Sequence, residues 1–386
     1  MPRSVELDVL RALAIGLVLL RHAPFAPSDA GALHPIASFL HAFGWTGVDL
    51  FFVLSGFLVG GLIFAELKSR GALDRRRFLV RRAFKIWPPY VVYLVFVFVA
   101  LTLTEAGGIR SAVDRMLPNF VHLQNYFGRV RRHTWSLAVE EHFYLLLPFV
   151  VGALAARGAR GVRSVPIIAA VLVVGCTLAR VLTRLFVEPF ALEVHCWPTH
   201  LRIDGLFVGV ALAYAKVFIP HVLEALRPHS TKLLLLGTAS VLPMGFLPLE
   251  GLFVPTIGLT LLYLGYAAIL IGVVYAPIEG SVARFFRTRV AKSLAAVGLY
   301  SYSIYLWHVD FAQIPVMKLL QRLHLAGPNA GIWLAGTLVM VALSIAAGVA
   351  AAKLIERPSL MLRDRLFPSK APDAREGRAA EPVDRT

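Results

Sequence analysis

The sequence predicts an all-α membrane protein, a polytopic bundle of about ten transmembrane helices. Of its 386 residues, 58% are hydrophobic and only 16% are charged, against roughly 45–50% and 25% in an average soluble domain. Apolar runs long enough to cross about 30 Å of hydrocarbon, roughly 20 residues of helix, recur along nearly the whole chain. These runs lack the period-two alternation of strands, so we expect a multi-pass helical bundle.

Ten apolar segments make up the predicted bundle. Short polar intervals that contain Pro, Gly or charged residues separate them, as is typical of loops between membrane helices. The predicted spans are 7–22, 45–66, 86–104, 136–155, 165–182, 202–218, 233–248, 254–275, 293–314 and 331–353. An even number of spans places both termini on the same side of the membrane.

The basic residues predict which side that is, because short cytoplasmic loops keep an excess of Lys and Arg. The first loop on the opposite side, 24–44, contains neither, whereas the next interval carries a dense basic cluster. Its members are Lys68, Arg70, Arg75, Arg76, Arg77, Arg81, Arg82 and Lys85. We therefore expect both termini in the cytoplasm and the chain in the inner (plasma) membrane. Topology also explains the net charge of +16 better than nucleic-acid binding does, since no single basic patch is visible.

We expect a membrane domain over residues 1–360 and a disordered cytoplasmic tail over 361–386. The tail is rich in Pro, Arg, Glu and Asp and cannot bury enough apolar surface to fold alone. The two cysteines, Cys176 and Cys196, are too few for a disulfide framework or a cysteine-based metal site, so we expect no metal. The sequence has no Gly-rich phosphate loop, which argues against an ATP-driven motor.

The opening span carries Arg11 and His22, two side chains that are expensive inside a membrane. A charged residue at the centre of a span costs about 2.5–3.5 kcal/mol on insertion scales. Eleven residues amount to three helical turns plus roughly 20°, so both side chains lie on one face, about 16.5 Å apart along the axis. The stripe holds a fixed cation near the cytoplasmic end and a titratable imidazole near the outer end. Snorkelling of Arg11 and headgroup anchoring of His22 are the structural alternative.

Asp49 lies at the outer start of the second span, ahead of an apolar run that small residues interrupt. Gly47, Gly56 and Gly60 would let neighbouring helices approach closely, which is also a sufficient structural reason for them. We interpret Asp49 as a buried structural or gating group on the substrate side of the protein.

Glu140 and Glu141 are adjacent at the outer start of the fourth span. Neighbouring side chains on a helix point about 100° apart, so we expect only one of the two carboxylates to face the bundle interior. The inward one is a candidate to orient or charge-balance His22, because a base is commonly oriented by a third group. The alternative is structural, since the dipole of a helix N-terminus favours carboxylates.

Polar and aromatic residues on the sixth and ninth spans complete the candidate site. On the ninth span, Tyr302, Tyr305 and His308 recur at i, i+3 and i+6, a spacing that suits one side of a cavity. Tyr and Trp near a membrane boundary also form ordinary aromatic belts. The predicted substrate-binding residues are Asp49, Trp135, Arg202, Asp204, Tyr302, Tyr305 and His308.

Taken together, these segments resemble the acyltransferase-3 family of bacterial membrane O-acyltransferases, which includes polysaccharide and O-antigen acetylases and macrolide acylases. The resemblance covers about residues 5–360, and six motifs in the family's order carry it. They are Arg11 with His22, GVDLFFVLSGF at 47–57, the basic stretch before IWPPY at 86–90, WSLAVEE at 135–141, RIDG at 202–205 and SYSIYLWH at 301–308.

The resemblance implies that Arg11 and His22 are needed for activity, with acyl-CoA taken from the cytoplasm and the acyl group delivered to an acceptor outside. Family members also carry an Arg-x-x-Arg pair at the cytoplasmic start of the third span. This chain reads Arg82-Ala-Phe-Lys85 there, so the second cation is an ammonium. An ammonium still attracts phosphate, but it lacks the bidentate geometry of a guanidinium.

The predicted activity is O-acyl transfer from acyl-CoA, most simply acetyl-CoA, to a hydroxyl of an exported or membrane-associated glycan, glycolipid or small molecule. We expect the CoA phosphates to dock against Arg81, Arg82 and Lys85, and the pantetheine arm to enter the bundle past Arg11. His22 then acts as the general base or forms a covalent acyl-imidazole, and the sequence leaves both routes open.

Two other classes of function suit the same features. Buried Arg, His and Glu in a ten-helix bundle are also typical of a proton-coupled transporter or flippase. Against this, the two halves of the chain show no matching pair of broken helices, and a basic cluster on the cytoplasmic side suits a phosphate-rich ligand. A binding or sensor protein that kept the fold and lost the chemistry is the third interpretation.

Overall fold

A computed structural model of the chain describes residues 4–104, 107–128, 130–323, 325 and 329–368. Within these residues the secondary structure is helical and contains no strand. The helices of the first half are α1 Val5–Arg21, α2 Leu33–Phe43, α3 Gly47–Arg70, α4 Arg75–Thr104, α5 Gly108–Phe120, α6 Gln124–Phe127, α7 Trp135–Ala156, α8 Gly158–Arg163, α9 Val165–Phe186 and α10 Leu192–His195.

The second half continues as a series of helices with π-helical turns in three places. The α-helices are α11 Ile203–Phe218, α12 Pro220–Glu224, α13 Ser230–Val241, α14 Leu259–Val274, α15 Ser281–Phe286, α16 Arg289–Leu299, α17 Ser301–His308, α18 Ile314–Arg322, α19 Ala330–Ala351 and α20 Arg357–Leu366. The π-helical turns are Val254–Gly258, Val309–Gln313 and Ala352–Glu356. They lead into α14, join α17 to α18, and join α19 to α20.

The helical membrane bundle is confirmed, but the expected count of about ten spans is not. In the described part of the chain, six helical stretches are long and apolar enough to cross a membrane, and a bent pair makes up to seven. The six are Leu33–Arg70, Arg75–Thr104, Arg132–Ala156, Gly158–Phe186, Val254–Val274 and Ala330–Leu366. The pair is Ile203–Phe218 with Pro220–Gly245, bent by 105°.

The other predicted spans are helical but short or interrupted. The first, α1, has 17 residues, slightly fewer than the roughly 20 that cross the hydrocarbon core. The ninth is divided at Tyr300, between α16 and α17. Apolar runs in a sequence do not show such breaks, because a divided helix and a continuous one bury the same kind of side chain.

The C-terminal helix continues past the start of the predicted tail. We expected disorder from residue 361, but α20 continues to Leu366. Ion pairing explains the difference, since Asp364 contacts Arg81 of α4 at 3.2 Å and the backbone oxygen of Phe367 accepts a hydrogen bond from the same guanidinium. The rest of the predicted tail, 369–386, lies outside the described residues.

Glycines bring the central helices into backbone contact, as the sequence predicted. A Cβ on Gly56 of α3 would collide with the backbone oxygen of Leu206, and one on Gly209 of α11 with that of Val53. Gly47 lies equally close to the backbone oxygen of Ala14 in α1. Helices α1, α3 and α11 therefore pack backbone to backbone, which fixes their relative position without long side chains.

A proline in α4, Pro88, helps to join this helix to the C-terminal helix. Pro88 has no N–H to donate to the oxygen of Phe84, four residues earlier. That oxygen instead accepts a hydrogen bond from the hydroxyl of Ser359, next to α20 Pro358. Two residues further along α4, the oxygen of Ile86 accepts from the hydroxyl of Tyr302 on α17. Helices α4, α17 and α20 are thus joined where the cavity described below begins.

Candidate active site

One cavity lies in the middle of the bundle, between α1, α3, α4, α7, α17 and the turn before α20. It holds about 1000 Å³ of space between protein atoms, counting its open mouth. Since α3 and α4 are antiparallel and joined by a short turn, the end of the bundle with Arg70 and Arg75 is called the basic end. The opposite end, where α1 ends and α7 begins, is called the far end.

Three cationic side chains, Arg11, Arg82 and Lys85, line the cavity. Arg11 pairs with Asp8 on its own helix at 3.1 Å. The guanidinium of Arg82 lies over the ring of Tyr144, 5.3 Å from its centroid. Among the described residues, neither Arg82 nor Lys85 is in an ion pair. Two cationic side chains of the lining therefore have no ion-pair partner among the described residues, which leaves them available to bind an anionic ligand.

A hydrogen-bonded cluster of Ser55, Glu140 and Tyr144 occupies the middle of the cavity wall. The hydroxyl of Tyr144 donates to Glu140 Oε2, and the hydroxyl of Ser55 donates to the same oxygen at 3.4 Å. Glu141 also lines the cavity, and its Oε2 accepts from the indole N–H of Trp87 at 3.0 Å. Both carboxylates therefore face the cavity, although we expected only one of them to face inward.

Tyr305 closes the cavity toward the far end. Its hydroxyl lies 2.7 Å from that of Ser136 and donates a hydrogen bond to the backbone oxygen of His133. The ring of Phe51 is in edge contact with the Tyr305 ring at 6.4 Å. Three histidines lie on the other side of this residue, so Tyr305 separates the cavity from them.

The three histidines, His22, His133 and His308, form a cluster in which the ring of His308 contacts both of the others. The ring centroids of His22 and His308 are 4.8 Å apart, and those of His133 and His308 are 5.3 Å apart. His308 is fully buried and His133 is buried, whereas His22 is partly exposed. The cluster therefore reaches the protein surface at His22, which follows the last residue of the opening helix.

A second polar cluster lies in the core near the far end, away from the cavity. Asp49 of α3 pairs with Arg202, and Asp204 of α11 pairs with Arg180 of α9 at 2.8 Å. All four side chains are at most 2% exposed. The guanidinium of Arg202 also lies 5.1 Å from the ring centroid of Trp135. These four charges balance one another, so the cluster joins helices.

The structure divides the predicted site residues between these places. The cavity brings together Arg11, Arg82, Lys85, Glu140, Glu141, Tyr302 and Tyr305. His22 and His308 lie beyond Tyr305. Asp49, Trp135, Arg202 and Asp204 belong to the ion-pair cluster, where Asp49 pairs with Arg202.

Two predictions about contacts differ from the structure: binding of phosphate by Arg81, and orientation of His22 by Glu140 or Glu141. Arg81 pairs with Asp364 of α20 and does not line the cavity, because it lies on the side of α4 that α20 covers. Glu140 and Glu141 bond to Tyr144, Ser55 and Trp87, and within the described residues neither is a hydrogen-bond partner of His22. A carboxylate on α7 is separated from His22 by Tyr305, which sequence spacing could not show.

Sequence reasoning missed several residues that the structure joins to these clusters. They are Ser55, Arg131, His133, Tyr144, Arg180, Asp310 and Glu356. Arg180 gave a usable signal, since it is a charge inside a predicted span. Arg131 and Asp310, which pair at 2.5 Å beside the histidines, gave none, because 179 residues separate them.

The chain matches the family model described as acyltransferase domain over residues 4–349. It is 26% identical over 340 residues to the peptidoglycan O-acetyltransferase OatA of Listeria monocytogenes, which covers 82% of this chain and 51% of that protein. It is 27% identical over 326 residues to the O-acetyltransferase OatA of Staphylococcus aureus, covering 78% and 49%.

A putative O-acetyltransferase of Staphylococcus aureus strain COL is 30% identical over a shorter stretch of 121 residues, 28% of this chain and 20% of that protein. The chain spans about half the length of the two OatA proteins that it matches. No solved structure matches it. These comparisons support an acyltransferase and give no support to the transporter alternative.

The buried ion pair gives a test of what holds the helices around the cavity. Asp49→Asn leaves Arg202 buried without a counter-charge, which costs about 3–5 kcal/mol and is expected to lower the apparent Tm by on the order of 10 °C. A thiol-reactive dye can follow unfolding, because Cys176 and Cys196 are free and buried. Burial raises the pKa of the Cys196 thiol to about 11, so the folded protein reacts slowly.

Glu188→Gln is the matched control, since Glu188 pairs with Arg184 but its side chain is 64% exposed. An exposed pair is worth about 0–1 kcal/mol, so this change is expected to lower Tm by no more than about 3 °C. Equal, small shifts in both variants would show that the Asp49–Arg202 pair does not hold α3 to α11.

Proposed function

Since this chain belongs to the acyltransferase-3 family, a family with O-acetyltransferases among its members, we propose that it transfers an acetyl group from acetyl-CoA to a hydroxyl of an exported glycan. One observation carries the proposal. The cavity is lined both by two cations that have no ion-pair partner in the described part of the chain and by the tyrosine that packs against the histidine cluster. A donor with a phosphate-rich end and a reactive end fits such a cavity from one end to the other.

The phosphates of CoA bind at Arg82 and Lys85. Both side chains line the cavity, and charge-assisted hydrogen bonds to phosphate are about twice as strong as neutral ones. Arg11 lies on the facing helix and carries the third positive charge of the lining. Asp8 already pairs with it, so we assign it to the neutral part of the donor, next to the thioester, and not to the phosphates.

The length of the cavity suits the pantetheine arm. On α3 its lining runs from Val59 to Val48, which is eleven residues or about 16.5 Å along the helix axis. Phe51 and Leu54 make this wall largely apolar, and Glu141 presents an oxygen, Oε1, that has no hydrogen-bond partner among the described residues. We assign this oxygen to an amide N–H of the arm, because a buried carboxylate oxygen without a donor is costly.

The reaction is acyl transfer with His22 as general base. Nε2 of His22 takes the proton of the acceptor hydroxyl while the hydroxyl oxygen attacks the acyl carbon of the thioester. The C–S bond then breaks, and the leaving thiolate recovers the proton from the imidazolium, so free CoA and an ester are formed. Tyr305 lies between the cavity and His22. The donor therefore approaches Tyr305 from the cavity, and the acceptor approaches it from the side of His22.

The acceptor is a hydroxyl on an exported glycan, and the name of the Listeria relative, peptidoglycan O-acetyltransferase, makes cell-wall glycan the first candidate. His22 is partly exposed at the far end, which suits a large acceptor that does not have to enter the bundle. With the basic end in the cytoplasm, as short basic loops favour, the donor enters from the cell interior and the acceptor from outside the inner membrane.

Thioester turnover in purified protein tests the activity. In nanodiscs with acetyl-CoA and a panel of glycan, glycolipid and small-molecule acceptors, the wild type is expected to release free CoA in the presence of one acceptor class. His22→Ala is expected to lower kcat by about 10²–10⁴-fold, the usual contribution of a general base, while Tm stays the same. Arg11→Ala is expected to lose activity as well. If the wild type neither binds nor consumes acetyl-CoA, the proposed activity is wrong.

The assignment of Arg82 to the CoA phosphates predicts that alanine substitutions at two neighbouring arginines change KM for acetyl-CoA differently. Arg82→Ala is expected to raise KM for acetyl-CoA by about 10- to 100-fold, the loss of a charge-assisted contact worth about 1.5–3 kcal/mol, with a smaller effect on kcat. Arg81→Ala is the control, because Arg81 pairs with Asp364 outside the cavity, and it is expected to leave KM within about twofold. Equal effects on KM in both variants would contradict phosphate binding inside the cavity.

A further inference from the structure

We infer that His308 is the residue that positions His22, in the role that an aspartate plays toward the histidine of a serine hydrolase. The inference rests on the proposed function, since it takes His22 to be the base. It replaces the expectation that Glu140 or Glu141 orients His22. It also replaces the expectation that His308 binds the substrate, because His308 instead orients the base.

The hydrogen bonds of the two rings determine where their hydrogens lie. Nδ1 of His22 is 2.9 Å from the backbone oxygen of Val18, and Nδ1 of His308 is 2.7 Å from that of Tyr305. A carbonyl oxygen only accepts, so each Nδ1 carries a hydrogen and each neutral ring keeps its lone pair on Nε2. His22 therefore presents a basic Nε2, as its role requires.

The lone pair of His308 lies next to the hydrogen of His22. Nε2 of His308 is 3.4 Å from Nδ1 of His22, so the Nδ1–H of His22 is shared between Val18 and His308. When Nε2 of His22 takes a proton from the acceptor hydroxyl, the positive charge spreads over both ring nitrogens. His308 then accepts a stronger, charge-assisted hydrogen bond, which stabilises the imidazolium as the transition state forms.

His308 is itself held in one orientation. Its side chain is fully buried, its Nδ1 is bonded to its own helix at Tyr305, and the ring of His133 packs edge-on against it at 5.3 Å. His133 is anchored in turn, because its Nε2 lies 3.4 Å from the backbone oxygen of Leu306. Because the His308 ring is hydrogen-bonded at Nδ1 and packed against His133, it can fix the orientation of the neighbouring His22 ring.

The acidic side chains on the neighbouring helices have other partners. Asp310, two residues after His308, pairs with Arg131 at 2.5 Å and accepts from the hydroxyl of Tyr93 at 2.7 Å. Glu140 accepts from Tyr144, and Glu141 from Trp87. The described hydrogen bonds of His22 go to Val18 and His308, which leaves His308 as the side chain that can respond when His22 becomes charged.

A pair of amide substitutions separates positioning from packing. His308→Asn keeps an N–H near Nδ1 for the bond to Tyr305 but has no atom at Nε2, whereas His308→Gln carries an amide oxygen to about the position of Nε2. His308→Asn is expected to lower kcat by about 10- to 100-fold, as loss of a charged hydrogen bond does, with KM for acetyl-CoA unchanged. His308→Gln is expected to recover at least about half of that loss on a logarithmic scale.

His195→Asn and His195→Gln are the matched controls. His195 is also buried, and its two ring nitrogens contact the backbone of Ala191 and Val187, so neither amide is expected to change kcat beyond about twofold once the folded fraction is equal. Wild-type kcat in His308→Asn, or no recovery in His308→Gln, would overturn the positioning role. Full activity in His22→Ala would instead remove His22 as the base, and the proposed mechanism with it.

NMR spectroscopy tests the inference without any measurement of turnover. In protein with ¹⁵N-labelled histidine, the hydrogen of His308 is expected on Nδ1, and the ¹⁵N shift of its Nε2 is expected to move toward that of a lone pair without a donor in His22→Ala. A hydrogen found on Nε2 of His308, or a ¹⁵N shift of this Nε2 that is the same in His22→Ala and the wild type, would overturn the inference even if acetyl transfer is confirmed.

Discussion

The interior of a membrane bundle tolerates a charge only when another charge or a ligand compensates it, and this constraint organises the whole molecule. Asp49, Arg202, Arg180 and Asp204 form two ion pairs that are almost completely buried. They join α3, α9 and α11, and glycines bring two of these helices, α3 and α11, into backbone contact. Arg82 and Lys85 lie in the same bundle and have no ion-pair partner among the described residues. The paired charges join helices, and the cations without an ion-pair partner indicate where an anionic ligand is expected to bind.

The same distinction explains how the cavity relates to the histidines. The cavity holds the cations and carboxylates at its middle and basic end, while Tyr305 separates it from His22, His133 and His308. A single open channel would join water on the two sides of the membrane and leave the thioester open to hydrolysis. In the proposed mechanism, Tyr305 lies between the donor and the base, so it separates the thioester from water at the far end.

Sequence reasoning reached the helical bundle and most of the polar side chains, because an expensive residue in an apolar run is visible without a structure. It placed Arg11, Arg82, Lys85, Tyr302 and Tyr305 on one site, and the structure brings these together. It could not pair Arg131 with Asp310, nor His22 with His308, because the partners are far apart in the chain and nothing local encodes their contact. The break at Tyr300 was also invisible, since it lies inside one apolar run of the sequence.

The most direct measurement is a structure of the protein in nanodiscs with a non-hydrolysable thioether analogue of acetyl-CoA. Phosphate density beside Arg82 and Lys85, with the acyl end against Tyr305 and the histidines beyond it, is the predicted result. Analogue density outside the bundle, or with the phosphates at the far end near His22, would contradict the orientation of the donor and with it the division of the site at Tyr305.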